Sequence, residues 1–157
     1  MRKFFAVAMA LLFVVFAGQA YAGTANSNST ITINYAGSCS ITANSLTIAY
    51  AELDTSGSFG VDVNCSNGLA WALTAGSGQN VSGELRRAKT GGNFMSYRFF
   101  KDAGLAQEVT VSANTVSTGN GNGAVQTSTV YTAVKAADNV AAAVGSYVDT
   151  VAFTVTF

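Results

Sequence analysis

The stretch Asp149-Thr150-Val151-Ala152-Phe153-Thr154-Val155-Thr156-Phe157 decides the fold class. Val151, Phe153, Val155 and Phe157 alternate with Ala152, Thr154 and Thr156, the period of two that puts successive side chains on opposite faces of a β-strand. An edge strand is normally blunted by charge, proline or a covering loop. None of these occurs from Val151 to Phe157, and Phe157 is the last residue of the sequence. The expectation is an edge open to another strand, with Val151, Phe153, Val155 and Phe157 as its acceptor residues.

A second alternating segment, Thr30-Ile31-Thr32-Ile33-Asn34-Tyr35, stands near the other end. Ile31, Ile33 and Tyr35 share one strand face, which Ser29 and Ser27 continue toward the N-terminus. Between the two segments, short strand signals separated by Gly, Asn and Ser turns recur at regular spacing. They predict strands over Cys39 to Thr42, Leu46 to Tyr50, Ser58 to Asn64, Leu69 to Ala75, Met95 to Lys101, Glu108 to Ala113, Thr127 to Lys135 and Ser146 to Phe157. This pattern predicts an all-β antiparallel sandwich. Only Ala136 to Val144 is alanine-rich enough to predict a short helix. Proline is absent, so no strand is demoted on that account.

Upstream of Gly23 the chain has the parts of a secretory signal peptide. Arg2 and Lys3 form a basic n-region, Phe4 to Phe16 is almost wholly apolar, and Ala20-Tyr21-Ala22 is a small-residue cleavage site. The apolar run is shorter than the roughly 18 to 20 residues of a membrane span, so the expectation is a removed leader, 1–22, and no span in the mature chain. Residues 23–157 have the size of one domain with a real core. Loss of Arg2 and Lys3 from 8 basic residues, against 8 carboxylates, makes that chain slightly acidic. This argues against electrostatic affinity for nucleic acid or anionic membranes.

Cys39 and Cys65 are the only cysteines. In an oxidising compartment they are expected to bridge, closing a loop of about 26 residues worth roughly 3 to 4 kcal/mol. With no histidine in the chain, two thiols do not supply the usual zinc ligand set, and no metal or cofactor is expected. The same absence removes Ser-His-Asp and Cys-His catalysis. Glu52 with Asp54, or Glu84 with a cross-turn partner, are nominal carboxylate pairs, but surface solvation explains them better and no enzyme activity is expected.

Two motifs invite functional readings. Gly119-Asn120-Gly121-Asn122-Gly123 has neither the following helix nor the lysine of a phosphate loop, and reads as a hairpin or loop tip. Arg86, Arg87, Lys89, Arg98 and Lys101 are interleaved with Phe94, Tyr97, Phe99 and Phe100, a pattern that can stack bases. Alternation along Met95 to Lys101 assigns part of the aromatic set to the core, leaving a solvated or subunit-contacting face as the better reading.

A resemblance runs through the mature chain in order: Cys39; Val61-Asp62-Val63-Asn64-Cys65-Ser66-Asn67-Gly68; Trp71-Ala72-Leu73-Thr74-Ala75-Gly76; Arg87; Phe94 to Asp102; and Gly145-Ser146-Tyr147-Val148-Asp149-Thr150-Val151. In these elements the chain resembles the spore coat protein U domain, the family that includes secreted pilins of archaic, Csu-type chaperone–usher pili. It departs from the family pattern at Leu46-Thr47-Ile48-Ala49-Tyr50 and at Val144, where proline is frequent. The resemblance implies an incomplete immunoglobulin-like antiparallel β-sandwich, residues 37–157, completed by a donor strand from a neighbouring subunit. The donor would be the extension 23–36, through Ser27, Ser29, Ile31, Ile33 and Tyr35. It further implies a structural pilin that polymerises into a cell-surface fimbrium for surface attachment and biofilm formation. Other copies or related pilins, a periplasmic chaperone and an outer-membrane usher would be its partners. The rival expectation is a monomeric secreted coat or ligand-binding sandwich whose own N-terminal segment closes the groove.

Overall fold

The computed structural model describes residues 26–157. The expected signal peptide, 1–22, and the start of the extension lie outside the described residues. The chain divides into two units, one ending at Asn34 and the other spanning Tyr35–Phe157. In the first, residues 26–34 have no regular secondary structure and are solvent-exposed.

The second unit is built from β1 (Cys39–Ala43), β2 (Thr55–Cys65), β3 (Ala70–Ala75), β4 (Arg86–Thr90), β5 (Asn93–Phe100), β6 (Glu108–Val109), β7 (Thr115–Asn120), β8 (Val125–Val134) and β9 (Phe153–Thr156). One sheet has the order β1-β2-β8-β5-β4, with β6 beside β5; the other has the order β7-β3-β9. Every strand pairing is antiparallel.

The core follows from alternation. Val61, Val63 and Cys65 on β2, Trp71, Leu73 and Ala75 on β3, and Phe99, Val109, Val116 and Val130 point inward between the sheets, while the intervening positions carry the polar residues. Cys39 and Cys65 face each other across β1 and β2 and form the expected disulfide, which staples the edge strand β1 to β2. On one side the sheets are tied together where Ser117 of β7 and Ser128 of β8 share a hydroxyl hydrogen bond of 2.6 Å.

Arg86 is buried at the junction of the sheets. Its guanidinium donates to the carbonyls of Gly76 (2.8 Å), Val109 (2.6 Å), Ala75 (3.3 Å) and Thr110 (3.2 Å) and lies over the Phe99 ring. Burial lowers its pKa from the ordinary arginine value. The planar fork of donors lets one side chain bond four carbonyls at the ends of β3 and β6, those of Ala75, Gly76, Val109 and Thr110.

Several expected elements are revised. Leu46 to Tyr50 forms no strand: Leu46 and Ile48 pack on Gly57 of β2, but the segment has no ladder partner. The expected Glu108 to Ala113 strand is only β6, because Ser112 and Ala113 give their N–H groups to the Glu84 carboxylate and the Thr110 hydroxyl. Ser146 to Phe157 is cut to β9, since Asp149 turns its carboxylate onto the N–H groups of Gln79 and Thr150. The predicted helix shrinks to a 3-10 turn, Ala136–Asp138, without a side-chain N-cap; an alanine run this short does not repay helix nucleation. β4 and β7 were not anticipated. Gly119 and Asn120 belong to β7, where the Trp71 indole covers Gly119 so closely that a Cβ would collide with it. Gly121 then crosses the carbonyls of Cys65 and Ser66 at a separation that only glycine allows.

Candidate strand-acceptor edge

Among the described residues β9 is hydrogen-bonded to β3 alone, with Leu73 opposite Val155 and Ala75 opposite Phe153. The Ala152 carbonyl accepts from Gly76 N–H at 2.8 Å, on the β3 side. In an antiparallel ladder the backbone groups alternate sides, so the N–H and C=O groups of Phe153 and Val155 face the open edge. These same two residues turn their side chains inward. Phe153 makes edge-on contact with Phe59, with centroids 5.7 Å apart, and lies 6.1 Å from Phe99.

Val151, Phe153 and Val155 pack against the core but stay only half-buried. Inward-facing residues of a closed sandwich are covered on both flanks; these are covered on one. Across the gap lies β1, the edge strand of the other sheet, which approaches β9 and turns Cys39 and Ile41 inward, also half-buried. Two sheet edges therefore face each other here, both carrying half-buried apolar side chains and both without a ladder partner on their outer side among the described residues. Of the expected acceptor residues, the structure brings Val151, Phe153 and Val155 together there. Phe157 lies past the end of β9 and is 59% exposed.

The candidate donor residues Ile31, Ile33 and Tyr35 are 83%, 87% and 77% exposed, and Ser27 and Ser29 are exposed with them. Isolated exposed apolar residues are ordinary; three at strand period in an irregular segment are a strand without a sheet.

The basic cluster is dispersed. Arg86 is internal, and Arg98 is held by Glu108 and Asp138 at 3.1 and 2.8 Å, which raises its pKa. Arg87 and Lys89 lie over the Phe94 ring, 4.4 and 5.7 Å from its centre. No row of cations interleaved with free aromatic faces is formed. Among the carboxylates, Asp54 accepts from Ala136 N–H and Lys135, and Glu84 from Ser112 N–H; both pKa values are lowered by these hydrogen bonds, the opposite of what a general acid needs. Among the described residues no group of three potential metal ligands is formed, and no helix is long and apolar enough to cross a membrane.

Sequence reasoning missed the part played by Ile41 and Phe59 beside this edge. The signal for Phe59 was present, since it alternates with Val61, Val63 and Cys65.

The fold and this edge together define an immunoglobulin-like antiparallel sandwich with one strand position open. The chain belongs to the Spore Coat Protein U domain family, whose model matches residues 24–154. Among curated proteins none matches the sequence. Among solved structures it is similar to the crystal structure of the CsuC–CsuE chaperone–tip adhesion subunit pre-assembly complex from archaic chaperone–usher Csu pili of Acinetobacter baumannii. The two share 19% identity at a TM-score of 0.58, over 78% of this chain and 40% of that one. The likeness is one of fold, and this chain spans less than half the length of the chain it matches.

Proposed function

We propose that the protein is a structural pilin subunit that polymerises by donor-strand exchange. The observation that carries the reading is the half-buried, inward-facing row Val151, Phe153 and Val155 beneath an unpaired backbone edge. An extended segment added there gains ladder hydrogen bonds and places alternate side chains in the groove. The segment 23–36 of another copy supplies Ile31, Ile33 and Tyr35 as anchors, with Ser29 and Ser27 continuing the same face. Each large apolar anchor contributes about 1.5 to 3 kcal/mol and each ladder bond about 0.5 to 1.5 net.

Donor and acceptor are different patches, so the contact is heterologous and propagates as a filament. An open apolar groove before assembly is an aggregation hazard, which fits the need for a periplasmic chaperone lending a temporary strand and an outer-membrane usher, on the way to a cell-surface fimbrium that serves attachment and biofilm formation. The family and the fold likeness to a chaperone–subunit complex support this reading.

Size-exclusion chromatography with light scattering on mature protein, with and without residues 23–36, tests it. Full-length protein forms SDS-resistant polymers and the truncated protein does not. Stable monomers from both would sink the polymer and favour the rival module with an internally closed groove.

A further inference from the structure

The two ends of the sandwich differ. At one end lie Cys39, Cys65, Ser66 and Val125, where β1 begins, β2 stops and β8 begins. No lysine or arginine occurs in 35–43, 61–69 or 119–128, the segments that build it. At the opposite end β2 begins, β8 stops, and the β4–β5 hairpin turns at Gly91 and Gly92.

At that second end, residues 139–148 form a strap around the hairpin. Asn139 bonds the backbone of Ser96 on the free edge of β5, Gly145 lies against Thr90, and Val148 pairs with Lys89 on the free edge of β4. The strap and hairpin expose Val140 (90%), Val144 (105%), Val148 and Phe94. Val81 joins them, its carbonyl close to the Arg87 guanidinium. Arg87 and Lys89, seated over Phe94, make no ion pair among the described residues. Three carboxylates are committed elsewhere: Asp138 to Arg98, Asp149 to Tyr97, Gln79 and Thr150, and Glu84 to Ser112. The result is an apolar, cationic surface, gathered from three chain segments and left exposed among the described residues.

The direction of β9 says what covers it. β9 runs from this apolar end, at Phe153, toward the Cys65 end, because Phe153 pairs with Ala75 while Thr156 pairs with Ala72. Antiparallel pairing is the rule for every strand pair of the domain and the more stable arrangement. A donor strand antiparallel to β9 therefore enters at the Cys65 end and leaves at the apolar end. The donor's own sandwich begins a few residues later, at Cys39, so its cation-free end arrives against the apolar end of the acceptor. Ala36-Gly37-Ser38 is too short a link to hold the two ends far apart.

We propose that the surface formed by Val140, Val144, Val148, Phe94 and Val81 is the seat for the Cys39–Cys65 end of the subunit that donates the strand, a second contact continuous with the donor-strand joint. This rests on the polymer reading above. The exposed Val125 of the donor, at the start of β8, is its apolar counterpart.

The test is thiol crosslinking of mature protein carrying Val125→Cys and Val144→Cys, with Cys39–Cys65 intact, polymerised, treated with a short bis-maleimide and then dissociated. A ladder of covalent multimers from polymers, and monomers alone when residues 23–36 are removed, is the expected result. Polymers that yield no ladder overturn the end-to-end seat and leave donor-strand exchange standing. An equal ladder from the truncated protein overturns the coupling to the strand, and failure of the unaltered protein to polymerise overturns both. Hydrogen exchange of unaltered protein provides a second reading: amides of 140–148 slow about tenfold or more on polymerisation, and unchanged exchange in polymers overturns the proposal.

Discussion

The side chain of Asn139 stands in for a missing strand beside Ser96. Its Oδ1 accepts the Ser96 N–H at 2.7 Å and its Nδ2 donates to the Ser96 carbonyl at 3.0 Å, with a further bond to the Lys135 carbonyl at 2.9 Å. β8 stops at Val134, one step before it could pair with Ser96, and the buried amide of Asn139 continues the ladder by side chain. This single residue holds both the edge of β5 and the start of the 139–148 strap.

Asn139→Ala leaves a buried N–H and a buried carbonyl without partners and is expected to cost roughly 2 to 4 kcal/mol. Asn139→Asp keeps the acceptor but turns a carboxylate oxygen onto the Ser96 and Lys135 carbonyls in a buried site, so it should be at least as damaging as alanine at neutral pH. Urea unfolding of the domain checks the order, and equal midpoints for all three would dismiss the ladder role.

Arg86 makes a sharper prediction, because four carbonyls depend on it. Arg86→Met fills much of the volume but satisfies none of them, and a loss of at least about 3 kcal/mol is expected. Arg86→Lys should be nearly as damaging, since one ammonium cannot span the Gly76 and Val109 carbonyls as the fork does. Thermal unfolding of the exported protein decides the matter, and a lysine variant as stable as the native chain would refute the geometric argument.

The contrast between these residues and the core shows what could be read in advance. Val61, Val63, Leu73 and Phe99 are inward because period two says so, and the Cys39–Cys65 bridge is expected from two cysteines in a chain read as exported. Arg86 looked like one member of a surface cluster, since nothing in Leu85-Arg86-Arg87-Ala88 distinguishes an arginine aimed at carbonyls from one aimed at water. The helix expected over Ala136 to Val144 failed because Asn139 is recruited by Ser96, 43 residues away in sequence. Leu46 to Tyr50 has a strand pattern yet no strand, because alternation specifies a buried face and not a ladder partner. The expectation at Val151 to Val155 rests on local alternation combined with a lack of any protecting residue, and among the described residues β9 has a ladder partner on one side, β3.

Tyr97 and Asp149 predict the alkaline limb of stability. The phenol donates to the Asp149 carboxylate at 2.5 Å in a mostly buried site, and burial first, then that hydrogen bond, push its pKa far above the usual tyrosine value. With the folded pKa raised, the unfolded chain loses this proton first, near pH 10, and the folded state is then the one that binds more protons. The contribution is thus complete below about pH 10 and declines as pH rises beyond it. Tyr97→Phe should lower stability at neutral pH and flatten the loss between about pH 10 and 12. Denaturant midpoints across that range test this, and an unchanged slope in the variant would remove Tyr97 from the account.

Ile31 and Ile33 separate the two halves of the proposed joint. Both are more than four-fifths exposed, so Ile31→Asp with Ile33→Asp removes no core packing, and the unfolding midpoint of the mutant domain should match that of the native domain. A carboxylate inserted into the groove beside Phe153 and Val155 would be desolvated without a partner, a cost of several kcal/mol per group that outweighs the ladder bonds gained. On the proposed function, in which a chaperone would occupy the acceptor edge and not the donor segment, the double variant should still bind that chaperone yet fail to extend a polymer. Phe153→Asp should do the opposite, accepting neither chaperone nor donor strand while its own extension still enters the groove of a native copy. Mixing the two variants then gives at most a single joint, with the extension of the Phe153 variant in the groove of the Ile31/Ile33 variant. Light scattering on such mixtures reads the polarity directly: dimers that do not grow support one donor and one acceptor per subunit, whereas long fibres from the double isoleucine variant alone would refute the assignment of the donor face.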